Sequence, residues 1–252
     1  MTESIAQVKQ HLSIEPTAEY LAQLATDPRK GVQQCLLQYE KKQAALAAKK
    51  VAFLARRQYE DRLWPNYPQI AGIDEVGRGP LAGPVVTAAV ILPHDFAVYD
   101  VNDSKQLSAT KRQLLYRQIL EQAVSVSIGV SDVATIDQVN ILEATKLAMS
   151  QTIAGLSVPP DHLLIDAVKL NTDIPTISMF KGDSHSISIA AASIVAKVVR
   201  DHLMLAYDQA YPGYDFADNE GYGTAKHLAG LAKYGVTPIH RRSFAPVKKY
   251  LA

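Results

Sequence analysis

Two neighbouring carboxylates, Asp74 and Glu75, stand at the end of an apolar run and directly before a glycine-rich segment. Adjacent residues of a strand point to opposite faces, so the pair can share one site only where the strand ends, twists or bulges. The glycines that begin at Gly77 permit such a change of direction. Taken alone, the segment is better explained as a turn with an incidental acidic pair.

Two further aspartates also follow predicted strands. Asp166 comes directly after Leu163-Leu164-Ile165, and Asp183 comes after Phe180-Lys181-Gly182. Open α/β sheets gather their sites at the carboxyl ends of strands, where these side chains would meet. Each aspartate taken singly is more commonly a helix cap or a turn residue. Four converging carboxylates repel one another without cations, and hard oxygen ligands of this kind favour Mg²⁺ or Mn²⁺.

The elements that must position these carboxylates alternate between strands and helices. Short β-rich runs predict strands, which cover residues 69–73, 85–92, 124–130, 162–165 and 176–180. Helical patterns cover residues 108–122 and 140–154, and a long alanine-rich helix runs from about Ser184 to Tyr207. Three consecutive strands followed by alternating helices and strands predict an α/β fold with a mixed sheet and helices on both faces.

The N-terminal part of the chain has a different composition. From Thr17 to about Asp61 it is rich in Ala, Gln, Leu, Lys and Arg, which predicts helix. Its apolar positions recur at roughly helical spacing, at Val32, Cys35, Leu36, Tyr39, Ala44 and Ala47. Pro65 and Pro68 then mark a boundary. We therefore predict a helical extension over residues 1–68 and a main domain, with a helical C-terminal region, over residues 69–252.

Composition excludes several classes of protein. The 26 Lys and Arg against 25 Asp and Glu leave a net charge of +1, so any affinity for nucleic acid must come from local patches. One cysteine, Cys35, excludes an intramolecular disulfide and a multi-cysteine zinc site, and fits a reducing cytosol. The chain lacks a secretory signal pattern and an apolar run of about twenty residues. We expect a cytoplasmic protein without a membrane segment.

Several long motifs, in a constant order over about residues 70–245, resemble ribonuclease HII, the bacterial type 2 ribonuclease H. The segments that carry the resemblance are Asp74-Glu75-Val76-Gly77-Arg78-Gly79, Pro80-Leu81-Ala82-Gly83-Pro84, Asn102-Asp103-Ser104-Lys105, Lys181-Gly182-Asp183 and residues 190–201 (AAASIVAKVVRD). This resemblance implies the ribonuclease H fold, a five-stranded mixed sheet flanked by helices, for the catalytic domain.

The resemblance also implies four acidic active-site residues that bind metal: Asp74, Glu75, Asp166 and Asp183. Asp201 competes for the fourth place. We prefer Asp183, because Asp201 lies well inside a predicted helix, where we expect it to pair with a base such as Lys197.

Substrate contacts are implied in the same way. Gly77, Arg78 and Gly79 match the motif that recognises the ribonucleotide 2′-hydroxyl, the group that distinguishes RNA from DNA. Ser104 and Lys105 match the family's phosphate-contacting loop. Tyr222, in Gly221-Tyr222-Gly223, matches the tyrosine that stacks on the deoxyribose beyond the cut, whereas we expect its rival Tyr214 to be structural.

The implied activity is endonucleolytic. The enzyme would cut the RNA strand of RNA–DNA hybrids and incise 5′ of single ribonucleotides in duplex DNA, as in ribonucleotide excision repair and DNA replication. Two Mg²⁺ or Mn²⁺ ions would catalyse hydrolysis, leaving 5′-phosphate and 3′-hydroxyl ends. We expect a monomer, and the C-terminus offers no obvious peptide for docking on a sliding clamp.

Three other functions compete with this one. A nucleotide-cofactor enzyme is disfavoured because the glycine spacing is not Gly-x-Gly-x-x-Gly and no phosphate-loop motif is present. A binding module without catalysis would lack one of the four carboxylates, and all four are present. The type 3 ribonuclease H carries a sheet-containing N-terminal domain, whereas this extension is predicted to be helical.

The basic groups near the C-terminus have two open interpretations. They either follow duplex phosphates, as Lys105 and Lys181 could, or form a solvated tail. The residues concerned are His240, Arg241, Arg242, Lys248 and Lys249.

Overall fold

A computed structural model describes residues 3–251, which divide into two compact units on either side of the Leu54–Ala55 bond. The first unit contains α1 (Ile5–Leu12), α2 (Ala18–Ala25) and most of α3 (Lys30–Arg56). Ser4 caps α1 with a reciprocal hydrogen bond to Gln7. This unit has its own apolar core, made of Val8, Leu12, Leu24, Val32, Cys35 and Leu36.

The helix predicted over residues 17–61 is present but divided into three parts. It is broken between Ala25 and Lys30, where Pro28 disfavours a helical Asp27 and cannot donate a backbone hydrogen bond, and again near Arg57 before α4 (Gln58–Leu63). The apolar stripe of α3 is buried from Val32 to Leu36, but Ala44 and Ala47 are exposed.

Five strands form one mixed sheet in the second unit, which confirms the predicted fold class. They are β1 (Ile70–Val76), β2 (Val85–Ile91), β3 (Ser125–Ser131), β4 (His162–Asp166) and β5 (Thr176–Met179). Their order across the sheet is β3-β2-β1-β4-β5, with β1 antiparallel to β2 and parallel to β4. The parallel pairs β1–β4 and β4–β5 therefore end at one edge of the sheet.

Helices cover both faces of this sheet. The remaining helices are α5 (Ala109–Gln122), α6 (Val133–Val139), α7 (Ile141–Ala154), α8 (Ile187–Ala210), α9 (Phe216–Asn219), α10 (Ala225–Tyr234) and α11 (Ala245–Lys248). Met149 of α7 packs on Ala71 and Ile73, whereas Ile189 of α8 packs on Ile70 and on the sheet's other face. Within residues 3–251, none of the helices combines the length and apolarity that crossing a bilayer requires.

The long helix α8 lies unusually close to β1. A Cβ built on Gly72 would be only 2.0 Å from the backbone carbon of Ser188, so the first turn of α8 rests directly on the strand. Glu60 of α4 fixes that turn, because its Oε1 accepts hydrogen bonds from the Ser186 hydroxyl (2.5 Å) and the Ser188 amide (2.9 Å). By packing, α4 thus belongs to the second unit, which begins at Ala55, and the boundary at residue 68 stays a prediction.

Candidate active site

The ends of β1 and β4 bring Asp74 and Asp166 together. Ile73 and Ile165 are register partners in these parallel strands, and each aspartate is the next residue along its strand. Asp74 follows Ile70 and Gly72 in the strand alternation, so it lies on the face covered by α8. The expectation that strand ends gather these two carboxylates is met by the geometry.

Asp74 is a buried carboxylate with few compensating contacts. Its Oδ1 accepts a hydrogen bond from the Glu75 amide at 2.7 Å, and the nearby Ser193 hydroxyl of α8 acts to lower the pKa of the same side chain. Burial, followed by the charges of Glu75 and Asp166, raises the pKa of Asp74 well above its ordinary value. Such repulsion between ionised groups is relieved when a cation or a proton binds.

Glu75 has one satisfied and one free oxygen. Oε1 accepts a hydrogen bond from Arg78 Nη1 at 3.2 Å, while Oε2 is buried and has no partner among the described residues. Burial raises the pKa of Glu75 to about 7, although Arg78 opposes this shift. A buried carboxylate oxygen without a hydrogen-bond donor costs folding free energy, so this position is suited to binding a cation.

Asp166 and Asp183 are linked through a tight turn after β5. The Gly182 amide donates to Asp166 Oδ1 at 2.7 Å, and Gly182 begins a short 3₁₀ helix, Gly182–Ser184, that carries Asp183. Ala167 and Lys181 both have positive φ, at 51° and 56°. Backbone strain of this kind is held only where surrounding structure enforces it, and it is frequent at functional sites.

Asp183 also faces a carboxylate that we did not predict. Burial raises the pKa of Asp183 to about 6, with further contributions from the charges of Asp103 and Asp166 and from a hydrogen bond to Asp103. Asp103 caps the 3₁₀ helix Ser104–Gln106 through the Lys105 amide. It lies inside a motif that carried the resemblance, but nothing in its local pattern distinguishes it from an ordinary cap.

Lys105 provides positive charge beside these carboxylates. Partial burial acts to lower the pKa of Lys105, but neighbouring carboxylates outweigh it, so the pKa is raised. These carboxylates belong to Asp74, Asp103, Asp183 and Asp166. The Lys105 side chain is exposed, so its ammonium remains accessible to a phosphate.

Ser104 and Ser193 join the 3₁₀ helix to α8. Ser104 is buried, and its hydroxyl lies 2.9 Å from that of Ser193, which also lies near Asp74. The predicted contact between Ser104 and a phosphate stays a prediction. Ser193 was missed as a site residue because helical periodicity marks it only as part of a buried face.

The segment after β1, residues 77–84, is here called the glycine loop. Gly77 has a φ of 93°, and a Cβ there would be 2.1 Å from Arg200 Nε, so only glycine fits. A Cβ on Gly79 would lie 3.2 Å from the ring of Tyr222, which is itself half-exposed at 49%. The two predicted substrate-recognition elements are therefore neighbours.

Asp201 and Tyr214, the alternatives to Asp183 and Tyr222, both have other partners. Asp201 forms ion pairs with Lys197 (2.7 Å) and Arg112 (3.6 Å), as the expected pairing with Lys197 requires. Tyr214 is buried in the C-terminal apolar cluster, stacks on Phe216 and donates to the Gly235 carbonyl.

Two members of the C-terminal basic group are not surface residues. His240 and Arg241 are 1% and 0% exposed, so neither side chain can follow duplex phosphates or form a solvated tail. Lys248 and Lys249 are exposed, as is Arg242. Both interpretations are therefore wrong for His240 and Arg241, because a linear pattern does not show that this segment folds back under the glycine loop.

A chain of hydrogen bonds leads from His240 to Tyr222. The Thr237 amide donates to His240 Nδ1 at 2.9 Å, the two Nε2 atoms of His240 and His227 are 2.9 Å apart, and His227 Nδ1 is 2.9 Å from the Tyr222 carbonyl. All three bonds form if both rings are neutral, with His240 protonated at Nε2 and His227 protonated at Nδ1. Burial and the neighbouring His227 lower the pKa of His240 to about 4, which maintains that neutral state.

The donor set fits a hard divalent cation. No three His, Cys, Asp or Glu side chains in residues 3–251 are placed so that they could hold one metal ion together. Mg²⁺ commonly binds through one or two carboxylates and keeps water and phosphate ligands, so an open set is compatible with it. The free Glu75 Oε2, beside Asp74, is the observation that supports this fit.

The family models match both parts of the chain. The model described as ribonuclease HII matches residues 71–247, and that of the ribonuclease HII N-terminal domain matches residues 4–64. The ribonuclease HII of Latilactobacillus sakei is 64% identical over 249 residues, covering 99% of this chain and 98% of the relative. That of Ligilactobacillus salivarius is 57% identical and covers 98% of each chain.

Solved structures share the fold. The ribonuclease H2 of Pyrococcus horikoshii matches with a TM-score of 0.65 and 24% identity, over 72% of this chain and 96% of that one. The RNase HII of Archaeoglobus fulgidus, solved as a PCNA complex, has a TM-score of 0.59 at 24% identity over 69% and 93%. Bst-RNase HIII in complex with Mn²⁺ has a TM-score of 0.54 at 20% identity over 72% and 68%. Together with the family models and the near full-length relatives, these findings show that the chain belongs to the ribonuclease HII family.

Proposed function

We propose that this protein is an endonuclease that cuts the RNA strand of RNA–DNA hybrids and incises 5′ of single ribonucleotides embedded in duplex DNA. The observation that carries the proposal is the placement of Asp74, Glu75 and Asp166 beside a glycine loop that packs on Tyr222. This arrangement combines a site for phosphodiester hydrolysis with groups able to recognise a ribose. The same site would serve ribonucleotide excision repair and DNA replication.

The proposed metal ligands are Asp74, Glu75, Asp166 and Asp183. Bound Mg²⁺ or Mn²⁺, two ions in the presence of substrate, would supply a hydroxide for in-line attack and stabilise the departing 3′-oxygen, leaving 5′-phosphate and 3′-hydroxyl ends. The Mn²⁺ in the Bst-RNase HIII structure is consistent with this choice of ion. Within this chain, the raised pKa values of Asp74, Glu75 and Asp183 result first from burial and then from neighbouring carboxylates, which include Asp166 in each case.

The glycine loop and Tyr222 would provide selectivity for the ribonucleotide. In the Gly77-Arg78-Gly79 motif, the backbone amides of Arg78 and Gly79 have no partner among the described residues and can hydrogen-bond a 2′-hydroxyl, the feature that separates RNA from DNA. Arg78 also holds Glu75 through its side chain. The exposed ring of Tyr222 lies against Gly79, where it can stack on the adjacent deoxyribose.

Positive charge for the phosphate would come from Lys105, with Ser104 shaping the same loop. The chain's net charge is +1, so attraction depends on local groups, and binding should weaken as salt increases. The proposed site residues, from Asp74 to Tyr222, all lie in the second unit, and we expect the enzyme to act as a monomer. The PCNA complex belongs to a relative below 25% identity, so a sliding clamp is not proposed as a partner here.

The proposal is tested with a labelled DNA duplex that contains one ribonucleotide. Wild type should cut it with Mg²⁺ or Mn²⁺ and stop when a chelator is added. Asp74→Asn, which keeps the side-chain shape but removes the charge, should cut at least about a hundredfold more slowly. Binding of the hybrid without cutting, under any of these ions, would instead favour a module that has lost catalysis.

A further inference from the structure

Two arginines are buried beneath the glycine loop. Arg200 lies in α8 and Arg241 lies after α10, and both are 0% exposed. Neither forms an ion pair within residues 3–251, although buried cations are usually paired with a carboxylate. Their hydrogen bonds go instead to backbone carbonyls, most of them in the loop.

Arg241 holds both ends of the loop. Its Nη2 donates to the carbonyls of Gly77 (2.5 Å) and Gly83 (2.8 Å), and its Nε also donates to Gly83 (3.0 Å). Its Nη1 donates to the carbonyl of Arg78 at 2.9 Å. The planar guanidinium fork can satisfy several carbonyls at once, which a lysine ammonium cannot do with the same geometry.

Arg200 connects the loop to the segment that carries Tyr222. Its Nε donates to the Pro84 carbonyl (3.0 Å) and its Nη2 to that of Ala82 (3.2 Å). Its Nη1 donates to the carbonyl of Glu220 at 3.0 Å, two residues before Tyr222. The two recognition elements are therefore fastened to one pair of guanidinium groups.

The anchored carbonyls also fix the direction of the backbone amides in the same peptide units. The peptide bonds of residues 3–251 are all trans, so each C=O points opposite to the N–H of the same peptide. The carbonyls of Gly77 and Arg78 face Arg241, and the amides of Arg78 and Gly79 therefore point away from it. Neither amide has a hydrogen-bond partner among the described residues, and Gly79 is exposed beside the Tyr222 ring.

We propose that Arg241 is a positioning residue for ribose recognition, which orients the Arg78 and Gly79 amides toward the 2′-oxygen of the substrate, with Arg200 holding Tyr222 in register. This inference rests on the proposed function, because it assigns a cause to the selectivity of that same site. Arg241 itself does not contact the nucleic acid. Its removal should reduce preference for a ribonucleotide rather than affinity for duplex DNA.

The test compares binding to two duplexes of one sequence, one all-DNA and one with a single ribonucleotide, with chelator present to prevent cleavage. Arg241→Lys keeps the positive charge but loses the fork. We expect its preference for the ribonucleotide duplex to fall about tenfold, because two hydrogen bonds to the 2′-oxygen would be misplaced. Its affinity for the all-DNA duplex should be unchanged. Hydrogen exchange of residues 77–84 should become faster in the same variant.

Two control variants separate positioning from general destabilisation. Ile119→Val removes a buried methylene from α5, which lies outside the loop, and should lower the melting temperature while the preference is retained. Arg117→Lys makes the same exchange at an exposed position of α5 and should change neither quantity.

The outcomes distinguish this inference from the proposed function. If wild type shows no preference for the ribonucleotide duplex, the proposed function itself fails. If wild type shows the preference and Arg241→Lys retains it, or if the variant loses affinity equally for both duplexes, the positioning role of Arg241 is overturned. Unchanged hydrogen exchange in residues 77–84 would contradict it independently.

Discussion

Burial and the Arg78 guanidinium shift the pKa of Glu75 in opposite directions. Burial raises its pKa to about 7, and the Arg78 guanidinium limits that rise. Near neutral pH the metal-free protein is therefore a mixture of protonated and ionised Glu75. Asp183, with a pKa of about 6, behaves similarly at a lower pH. A cation that binds these oxygens must displace protons, so metal affinity depends on pH.

We predict that Mn²⁺ binds about tenfold more tightly at pH 8 than at pH 6, because Glu75 changes from mostly protonated to mostly ionised over this interval. Calorimetric titration in two buffers of different ionisation enthalpy measures both the affinity and the protons released. Glu75→Gln should release fewer protons and show a flatter pH dependence. Equal affinity of wild type at both pH values would contradict this account of the site.

Asp74 should have opposite effects on activity and stability. Burial, Glu75 and Asp166 raise its pKa, so at pH 8 its ionised form costs folding free energy in the absence of metal. Asp74→Asn should abolish most cleavage and yet raise the melting temperature by about 2–4 °C at pH 8 in chelator. The gain should shrink as the pH is lowered, because protonation of wild-type Asp74 removes the cost of its buried charge. A lower melting temperature at pH 8 would show that the carboxylate is structurally required.

At the scale of elements, the contact between β1 and α8 sets the site. Gly72 lets the first turn of α8 rest on the strand, and this approach places Ser193 near Asp74. Glu60 holds the same turn through Ser186 and Ser188. The position of the carboxylates thus depends on a strand residue that carries no side chain.

Gly72→Ala should lower the free energy of unfolding by about 3 kcal/mol, because its methyl group would overlap backbone atoms of Ser188. Denaturant unfolding measures this loss. Gly235→Ala is the matched control: its φ of 76° and ψ of −163° are strained for alanine, but a Cβ there meets open space, so a smaller loss of about 1–2 kcal/mol is expected. Similar losses in the two variants would mean that α8 shifts easily away from the sheet.

The elements differ in how well their sequences predict them. All five strands were located, because apolar runs ending in Gly, Pro or Asp are local features. The break at Pro28 and the helices α1 and α6 were not predicted, since short amphipathic segments show only weak helical periodicity. Asp74 and Asp166 could be placed together from strand order. The roles of Ser193, Arg200 and Arg241 could not, because these residues act across long sequence separations.

Over the whole molecule, the two compact units each have a core, and the candidate site lies within the second. We therefore predict that a chain of residues 55–252 folds cooperatively and still incises a duplex with one ribonucleotide. Thermal unfolding checks its folding, and steady-state kinetics checks its turnover, which should be within about threefold of the full chain. A folded but inactive truncated protein would place part of the catalytic machinery in the first unit.

Ribose-directed, metal-dependent cleavage is tested most directly with three labelled duplexes of one sequence: all-DNA, DNA with one ribonucleotide, and an RNA strand paired with DNA. With Mg²⁺ or Mn²⁺, wild type should leave the first intact, cut the second on the 5′ side of the ribonucleotide to give 5′-phosphate and 3′-hydroxyl ends, and cut the third within its RNA strand. Equal cutting of all three duplexes, or cutting that persists in chelator, would contradict a ribose-directed, metal-dependent active site at Asp74, Glu75, Asp166 and Asp183.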